Sequence, residues 1–544
     1  MSKGQNFVKG AAILGIAGVV VKILGAIYRI PLSNIIKPEG MGYYQTAYPF
    51  YVLLLTISTA GVPVAVAKLV AEKRAIGDYK NAHKIFKVAL MALVFLGLLT
   101  SMVIAFGAKS IVAYLGNENA YYALIALVPA LFFVPIMSAF RGFFQGNQSM
   151  LPTALSQIVE QLFRVVTGLS LTYILLNKGI PIAAGGASFG GSMGALFGTI
   201  VIMGIYLRQK KDIQTEIDST VKEREYSINA IIKDLLFIAV PITLGAAISP
   251  IMDTIDAALV LRRLQSINYS AKEANALYGQ LKGFAQTLIN LPQVFSIAIS
   301  MSLMPAISHA SSRKSKEEVA ELISTGLRLT LLIGLPSAFG LFILAKPIIA
   351  LLYFNNTAEV ISVTGEILQY LALGVVFLTL VQALTAIIQG LGKPFIPVRN
   401  LLLGAIVKII LTYFLTAIPA INIKGAAIST VVAFGIAASL NFIYIIKVVK
   451  ADLDMKKIFL KPLASALGMA IIARLAYNLL RSLLSNTQLG AAIATLAAVL
   501  IGGIIYFVLL IATGTFTIED LSFLTKSKKL KRLLKKFKKG DSNE

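Results

Sequence analysis

Long apolar runs recur along the whole chain, separated by short segments rich in Pro, Gly or charged residues. A transmembrane helix needs roughly 20 mainly apolar residues, and about fourteen runs reach that length. They lie approximately at residues 8–35, 44–68, 86–107, 120–140, 152–176, 182–207, 231–261, 276–304, 322–344, 363–389, 397–418, 424–446, 458–480 and 489–513. Because backbone groups in lipid must be paired within the segment, runs of this length predict helices.

The composition supports the same class. Hydrophobic residues make up 57% of the 544 positions and charged residues 14%, with a mean hydropathy of +0.80. A soluble domain is roughly 45–50% apolar and 25% charged. The first run is too long for a signal-peptide core and no A-x-A-like site ends it, so we expect it to stay in the protein. The sequence predicts an all-α integral membrane protein.

The distribution of Lys and Arg predicts the orientation. If the N-terminus is cytoplasmic, inner loops and tails hold about 34 of these residues and outer loops about 9, as the positive-inside rule requires. Both termini should therefore be cytoplasmic. The net charge of +25 then reflects topology and not a nucleic-acid partner. The tail from Lys526 to Gly540 is either an amphipathic helix on anionic lipid or a disordered basic end.

The residue inventory excludes several chemistries. There is no Cys, and the two His residues, His83 and His309, are expected in cytoplasmic loops. No nucleotide-binding, hydrolase or zinc motif occurs, which favours a transporter without a cofactor over an enzyme. The small residues of "AAGGASFGGSMGALFG", Ala183 to Gly198, have the spacing of close helix packing in lipid.

An internal repeat predicts the domain organisation. "QGNQSMLPTALSQIVEQLFR" begins at Gln145 and "QGLGKPFIPVRNLLLGAIVK" at Gln389, and Arg164 and Lys408 occupy matching positions. The offset spans six predicted helices, so the two halves should share one orientation and enclose a midplane cavity. We expect an N-terminal lobe over 1–210, a cytoplasmic linker over 211–230, a C-terminal lobe over 231–450, two added helices within 451–515 and a basic tail over 516–544.

Charged residues inside the predicted helices carry the candidate chemistry. Each costs on the order of 2.5–3.5 kcal/mol on insertion scales and normally faces a cavity or a partner. The cations are Lys22, Arg29, Arg164, Lys282, Arg328, Lys408 and Arg474, and the acids are Glu160, Asp253 and Asp256.

Lys22 and Arg29 share one helix face, two turns apart. This predicts a wet, positive face, the alternative being that both cations pair with buried acids or extend to opposite interfaces. Because cations outnumber acids, we expect the cavity to select an anion whose remaining parts sit in or beside lipid.

The acids predict two pairs. Glu160 and Arg164 are spaced i,i+4 in the favourable order for an intrahelical ion pair. Asp253 and Asp256 are spaced i,i+3 and share a face. They form either a coupling site for Na⁺ or H⁺ or salt bridges to Arg262 or Arg263.

Several stretches together resemble one family. They are "GVPVAVAKLVAE" from Gly61, the stretch from Arg141, "LPQVFSIAISMSLMPAIS" from Leu291 and "GLRLTLLIGLPSAFGLFILAKPIIALLYF" from Gly326. The chain resembles the polysaccharide-export branch of the multidrug/oligosaccharidyl-lipid/polysaccharide (MOP) flippase superfamily. Within that branch it is most similar to the stage V sporulation protein B group and the MurJ lipid II flippases.

The resemblance implies fourteen helices in two lobes. It also implies movement of undecaprenyl-pyrophosphate-linked sugar across the bacterial cytoplasmic membrane by alternating access, with a lipid-tail groove on the last two helices. Lys22 of "KILG" replaces the first cavity cation of an R-x-L-G pattern, and Arg29 fits the second. The family has an Arg in the second helix, which is missing from "PFYVLLLTISTAG". A second family Arg, ahead of the Pro in the eighth helix, is replaced by Thr287 or its neighbours, and Lys282 compensates for this loss.

These observations predict a flippase for a lipid-linked oligosaccharide such as lipid II. Lys22, Arg29 and Lys282 are the predicted pyrophosphate ligands, with Arg164 and Lys408 as further candidates and Asp253 and Asp256 as a possible site for a coupling ion. Expected partners are membrane lipids and cell-wall synthesis enzymes. The alternatives are an exporter of another lipid-linked polysaccharide, a non-transporting cell-wall scaffold and a cation-coupled multidrug exporter. The sequence leaves a vegetative or a sporulation role open.

Overall fold

The computed structural model describes residues 3–220, 226–449, 454–484 and 487–515, and within these ranges it contains helices and turns but no strand. Thirteen helical runs in the described part are long and apolar enough to cross a membrane. The first, Ile13–Ala75, covers residues 13–35 of the first predicted segment and all of the second, and each later run overlaps one prediction. The all-α membrane class is confirmed. The predicted tail over 516–544 lies outside the described residues.

The helices follow one another with short connections. In chain order they are α1 (Lys3–Thr59), α2 (Val62–Ala75), α3 (Tyr79–Tyr114), α4 (Tyr121–Ile125), α5 (Val128–Gly146), α6 (Leu151–Leu175), α7 (Ile180–Arg208), α8 (Lys210–Asp218), α9 (Ile228–Gln265), α10 (Ala271–Gly279), α11 (Gln286–Ile289), α12 (Gln293–Ser312), α13 (Lys316–Ile343), α14 (Ala345–Leu352), α15 (Ala358–Ala372), α16 (Gly374–Gly390), α17 (Phe395–Leu415), α18 (Ile423–Val449), α19 (Lys461–Leu483) and α20 (Gln488–Ala512).

The described residues pack as two compact units. The first lies within Met1–Thr287, Tyr353–Val360 and Ile409–Ala426, and the second within Leu288–Leu352, Ile361–Lys408 and Ala427–Glu544. Helices α9 and α10 therefore pack in the first unit, whereas the sequence assigns them to a C-terminal lobe. The lobes were predicted from a sequence repeat, whereas the two units are defined by which helices pack together. The two divisions need not coincide, so the lobe boundaries stay a prediction.

Helix α1 is interrupted at Lys37, which has φ 57° and ψ −174°. The next residue, Pro38, has no N–H to donate and disfavours helical angles in the residue before it, which accounts for the break. The break divides α1 into two helical arms, 3–36 and 38–59. At 1.5 Å per residue an unbroken helix of this length would far exceed the roughly 30 Å hydrocarbon layer, so the arms correspond to two of the predicted spans.

The two repeated motifs have the same local structure. Helix α5 ends at Gly146 and α6 begins five residues later, and α16 ends at Gly390 with α17 again five residues on. In the first unit a Cβ added to Gly146 would lie 2.8 Å from the Val70 Cβ. In the second unit a Cβ added to Gly390 would lie 2.8 Å from the Met304 carbonyl oxygen. Both glycines thus allow a helix end to approach a neighbouring helix closely.

The glycine-rich run lies on α7 and packs against α6, as the sequence predicts. A Cβ added to Gly190 would lie 2.6 Å from the Arg164 carbonyl oxygen, and one added to Gly194 would lie 2.4 Å from that of Glu160. These are backbone contacts, which no side-chain rotation can relieve. Small residues allow helix backbones to approach closely in lipid, where packing and not water exclusion drives association.

The second unit is built around an apolar core on α12, α13, α16, α18 and α19. Its most buried members include Leu303, Ile307, Ile323, Ile387 and Ala466. Within this unit α19 also packs against α20, where a Cβ on Gly502 would lie 3.1 Å from the Ala473 Cβ. The exposed faces of α19 and α20 carry large apolar residues such as Leu475 and Leu500, as expected of lipid-facing helices. The predicted lipid-tail groove stays a prediction.

The loop expectation is wrong for both His residues. His309 lies in the last turn of α12. His83 lies within α3 and is buried, and its ring stacks on that of Tyr206 with centroids 6.2 Å apart. Helix α3 begins at Tyr79, earlier than its apolar run, because the Asp78 side chain accepts the Asn81 N–H and caps the helix.

We expect Gly194→Val to lower the stability of the protein by about 1–3 kcal/mol, because the added side chain meets the α6 backbone. The control is Gly204→Val on the same helix, where an added Cβ meets nothing within 4 Å. The measurement is the fraction of monodisperse protein that remains after heating in detergent. Equal loss in the two variants would contradict close packing of α7 on α6.

Candidate functional site

The first arm of α1 is anchored by Tyr28. This residue is buried, its hydroxyl donates a 2.8 Å hydrogen bond to the Ala187 carbonyl of α7, and a Cβ on Gly168 of α6 would lie 2.7 Å from that hydroxyl. Successive side chains on a helix point about 100° apart, since a turn has 3.6 residues. The contact therefore fixes the rotation of the arm and keeps the neighbouring Arg29 off the buried face.

Lys22 and Arg29 have no carboxylate partner among the residues that the structure describes. Lys22 is exposed and Arg29 is half-buried. Within the described residues, the buried acids pair with other cations and do not neutralise Lys22 or Arg29. Two cations on one face of a membrane helix, without a counter-charge, are suited to holding an anion.

Arg164 lies in a three-residue charge cluster. Its Nη2 donates to Glu160 Oε1 at 3.1 Å, and the Arg141 Nη2 donates to Glu160 Oε2 at 3.0 Å. The Arg141 Nε also donates to the Ser156 Oγ at 2.9 Å. The predicted Glu160–Arg164 pair is confirmed. Because two guanidinium groups share one carboxylate, this cluster keeps one positive charge in excess.

Arg164 and Arg29 lie on two helices that pack against each other. Tyr28, which precedes Arg29, contacts Gly168 of α6, four residues after Arg164. Tyr44 stacks on Tyr48, with ring centroids 5.6 Å apart. The first unit thus brings together two of the predicted anion ligands, while Lys408 lies half-buried on α17 in the second unit.

Lys282, Asp253 and Asp256 form a second cluster. The Lys282 Nζ lies 2.7 Å from the Asp256 Oδ2 and 3.4 Å from the Asp253 Oδ1. The exposed fractions of the side chains are 12% for Lys282, 4% for Asp256 and 52% for Asp253. The sequence predicts the lysine as a pyrophosphate ligand and leaves the aspartates open between a coupling-ion site and salt bridges to the nearby arginines. The structure instead pairs the lysine with both aspartates.

Lys282 lies in a π-helical segment, Gln280–Ala285, which follows α10. Side chains from other segments bind two of its carbonyl oxygens: the Gln45 Nε2 donates to the Lys282 oxygen at 2.9 Å and the Tyr353 hydroxyl to the Phe284 oxygen at 3.2 Å. Short π-helical segments occur frequently at functional sites. The hydrogen bonds from Gln45 and Tyr353 hold the backbone of this segment in place, and the Lys282 side chain contacts α9.

The alternative partners of the aspartates are engaged elsewhere. Arg262 donates to the Tyr114 carbonyl, and the Arg263 Nε donates to that of Tyr413 at 3.0 Å. The described part of the chain holds no group of three or more His, Cys, Asp or Glu suited to a metal ion. A Na⁺ or H⁺ coupling role for Asp253 and Asp256 stays a prediction.

Arg141 is the site residue that the list of membrane charges misses. The predicted fourth span ends at residue 140, but α5 continues to Gly146, so Arg141 is inside the helix. Its position in the motif that begins "RGFFQG" was the available indication. Its carboxylate partner lies 19 residues along the chain and on another helix, which no local spacing rule predicts.

Comparison with known proteins identifies the family. The chain matches the family described as "Polysaccharide biosynthesis protein" over residues 7–311 and the MatE family over residues 282–414. Stage V sporulation protein B of Bacillus subtilis (strain 168) is 30% identical over 462 residues, which cover 83% of this chain and 86% of the relative. The lipid II flippase MurJ of the same organism is 27% identical over 521 residues, 92% of this chain and 94% of the relative.

A solved structure gives the same result for the fold. "Lipid II flippase MurJ, inward closed conformation" superposes with a TM-score of 0.67 at 18% identity, covering 91% of this chain and 97% of that chain. The relatives and the fold are those of transporters and not of enzymes. The chain therefore belongs to the polysaccharide biosynthesis protein family, within the MOP flippase superfamily.

Proposed function

We propose that this protein moves an undecaprenyl-pyrophosphate-linked sugar, the peptidoglycan precursor lipid II, from the inner to the outer leaflet by alternating access. The observation that carries the proposal is the pair Lys22 and Arg29, two cations on one face of α1 without a carboxylate partner among the described residues.

The charge balance within the first unit supports an anionic cargo. The Arg141–Glu160–Arg164 cluster has one positive charge in excess, and the Lys282 cluster has one negative charge in excess. Lys22 and Arg29 add two positive charges that no described carboxylate offsets. A pyrophosphate supplies the missing negative charge, and charge-assisted hydrogen bonds from Lys and Arg are among the strongest that proteins form.

The relatives support a lipid-linked sugar as that anion. MurJ of Bacillus subtilis is a lipid II flippase by name, and it aligns with nearly the whole of this chain. The polyprenyl tail of such a substrate needs an apolar surface, and α19 and α20 expose one. The family description supports a second cargo, another lipid-linked polysaccharide, and the name of stage V sporulation protein B favours a role in sporulation.

The direction of transport fits the charge on α1. We place the protein in the bacterial cytoplasmic membrane with both termini inside. The inside-negative potential then favours inward return of the empty, positively charged site, since each elementary charge that crosses 100 mV is worth about 2.3 kcal/mol. Cell-wall enzymes that consume the exported sugar are the expected partners at the outer leaflet.

A multidrug exporter is the alternative that the MatE match favours. Most such drugs are cations, which two uncompensated cations on α1 would repel. A non-transporting scaffold would need no buried charges at all. Both alternatives predict that neutralising α1 leaves the export of lipid-linked sugar unchanged.

We expect Arg29→Ala to reduce export about tenfold or more, because a charge-assisted hydrogen bond contributes roughly 1.5–3 kcal/mol. The measurement is the amount of newly made lipid II accessible at the outer face of cells that have this protein as their sole candidate flippase. Arg29→Lys is the matched control and should retain most of the export, since it keeps the charge.

The possible results separate the hypotheses. Wild-type export with loss in the alanine variant supports both the cargo and the cationic face. Normal export by Arg29→Ala, at equal protein abundance, would refute the role of Arg29. Export of other polyprenyl-pyrophosphate sugars but not of lipid II would support the second cargo.

The absence of Cys from the chain allows a direct test of the orientation. We expect Lys178→Cys, an exposed residue after α6, to react with a membrane-impermeant maleimide added to intact cells. Ser219→Cys, exposed after α8, should react only after the membrane is opened. The reverse labelling pattern would show that the termini lie outside.

A further inference from the structure

We infer that the ammonium group of Lys282 serves as a built-in cation for Asp253 and Asp256. It takes the place that a dissolved monovalent cation such as Na⁺ would otherwise fill. The wild-type protein then needs no such ion at these carboxylates, and removal of the ammonium turns the pair into a Na⁺-binding site. The inference concerns the charge balance of α9 and the π-helical segment, and it holds whether or not the cargo is lipid II.

The distances support this role. The Lys282 Nζ is within salt-bridge range of both carboxylates, at 2.7 and 3.4 Å. Asp253 and Asp256 are one helical turn apart on α9, so one small cation can contact both, whereas two adjacent negative charges alone would repel each other.

Burial makes the ammonium necessary. Lys282 and Asp256 are almost fully buried, and removal of one partner of a buried ion pair strongly destabilises a protein because the other charge stays buried without compensation.

The backbone fixes the lysine in this place. The π-helical segment directs Lys282 at α9, and Gln45 from the second arm of α1 binds its carbonyl oxygen. A residue held in this way is suited to a permanent ion pair. In this structure the lysine is therefore engaged with the aspartates.

The test compares the thermal stability of purified variants in NaCl and in choline chloride, at a constant ionic strength of about 0.15 M. Wild type should melt at the same temperature in both salts. Lys282→Met should melt about 2–4 °C higher in NaCl, because Na⁺ binds the folded state and not the unfolded chain.

Two control variants complete the design. Lys346→Met removes a lysine from the more exposed pair with Glu366, 3.4 Å apart, and should show no Na⁺ effect. The triple variant Lys282→Met, Asp253→Asn, Asp256→Asn removes every charge of the cluster. It should fold, because replacing all members of a buried ion pair by neutral residues is often tolerated. It should also be insensitive to Na⁺, because no carboxylate is left to bind the ion.

The outcomes are distinct. If Lys282→Met folds only in NaCl, the inference is supported in its strongest form. A wild-type protein stabilised by Na⁺ as much as Lys282→Met would overturn it, because the ammonium would not occupy the cation's place. It is also overturned if Lys282→Met ignores Na⁺, or fails to fold in both salts while the triple variant folds. The readout is stability, so none of these results decides whether the chain is a flippase.

Discussion

The cost of holding a charge away from water constrains this protein more than any other interaction. A membrane helix can carry Lys, Arg, Asp or Glu only where a partner or an aqueous face offsets the insertion cost. The described part of the first unit shows two arrangements: the acids lie in clusters with Arg141, Arg164 and Lys282, while Lys22 and Arg29 have no acid. Among the described residues, ion pairs thus hold these acids in place, and Lys22 and Arg29 are the cations on which the proposed anion binding depends.

Close backbone packing makes the arrangement possible. The glycines of α7 bring its backbone against α6 at the level of Glu160 and Arg164, which fixes the charge cluster in depth and rotation. Tyr28 then anchors the first arm of α1 to the same pair of helices. The first arm of α1, which carries Lys22 and Arg29, is therefore held against two packed helices. Such anchoring lowers the entropic cost of the proposed anion binding.

Features with a short sequence spacing were predictable. The apolar runs, the Glu160–Arg164 pair and the packing role of the glycines follow from helix periodicity alone. The Lys282 cluster does not, because it depends on how α9 packs beside the π-helical segment, which shifts the side-chain register by an amount that no fixed period predicts. Arg141 was missed because a hydrophobicity boundary is not a helix boundary. His83 was misplaced because capping by Asp78 starts α3 before its apolar run.

The proposed function depends on selection of a lipid-linked pyrophosphate by Lys22 and Arg29, which have no carboxylate partner in the described part of the chain. The most direct test uses purified protein in liposomes and compares the transbilayer movement of an undecaprenyl-pyrophosphate sugar with that of the same sugar on a monophosphate. We expect fast movement of the pyrophosphate lipid, slower movement of the monophosphate lipid and loss of this difference in a Lys22→Ala, Arg29→Ala variant. Equal rates for both lipids, or a preference that survives the double substitution, would contradict it.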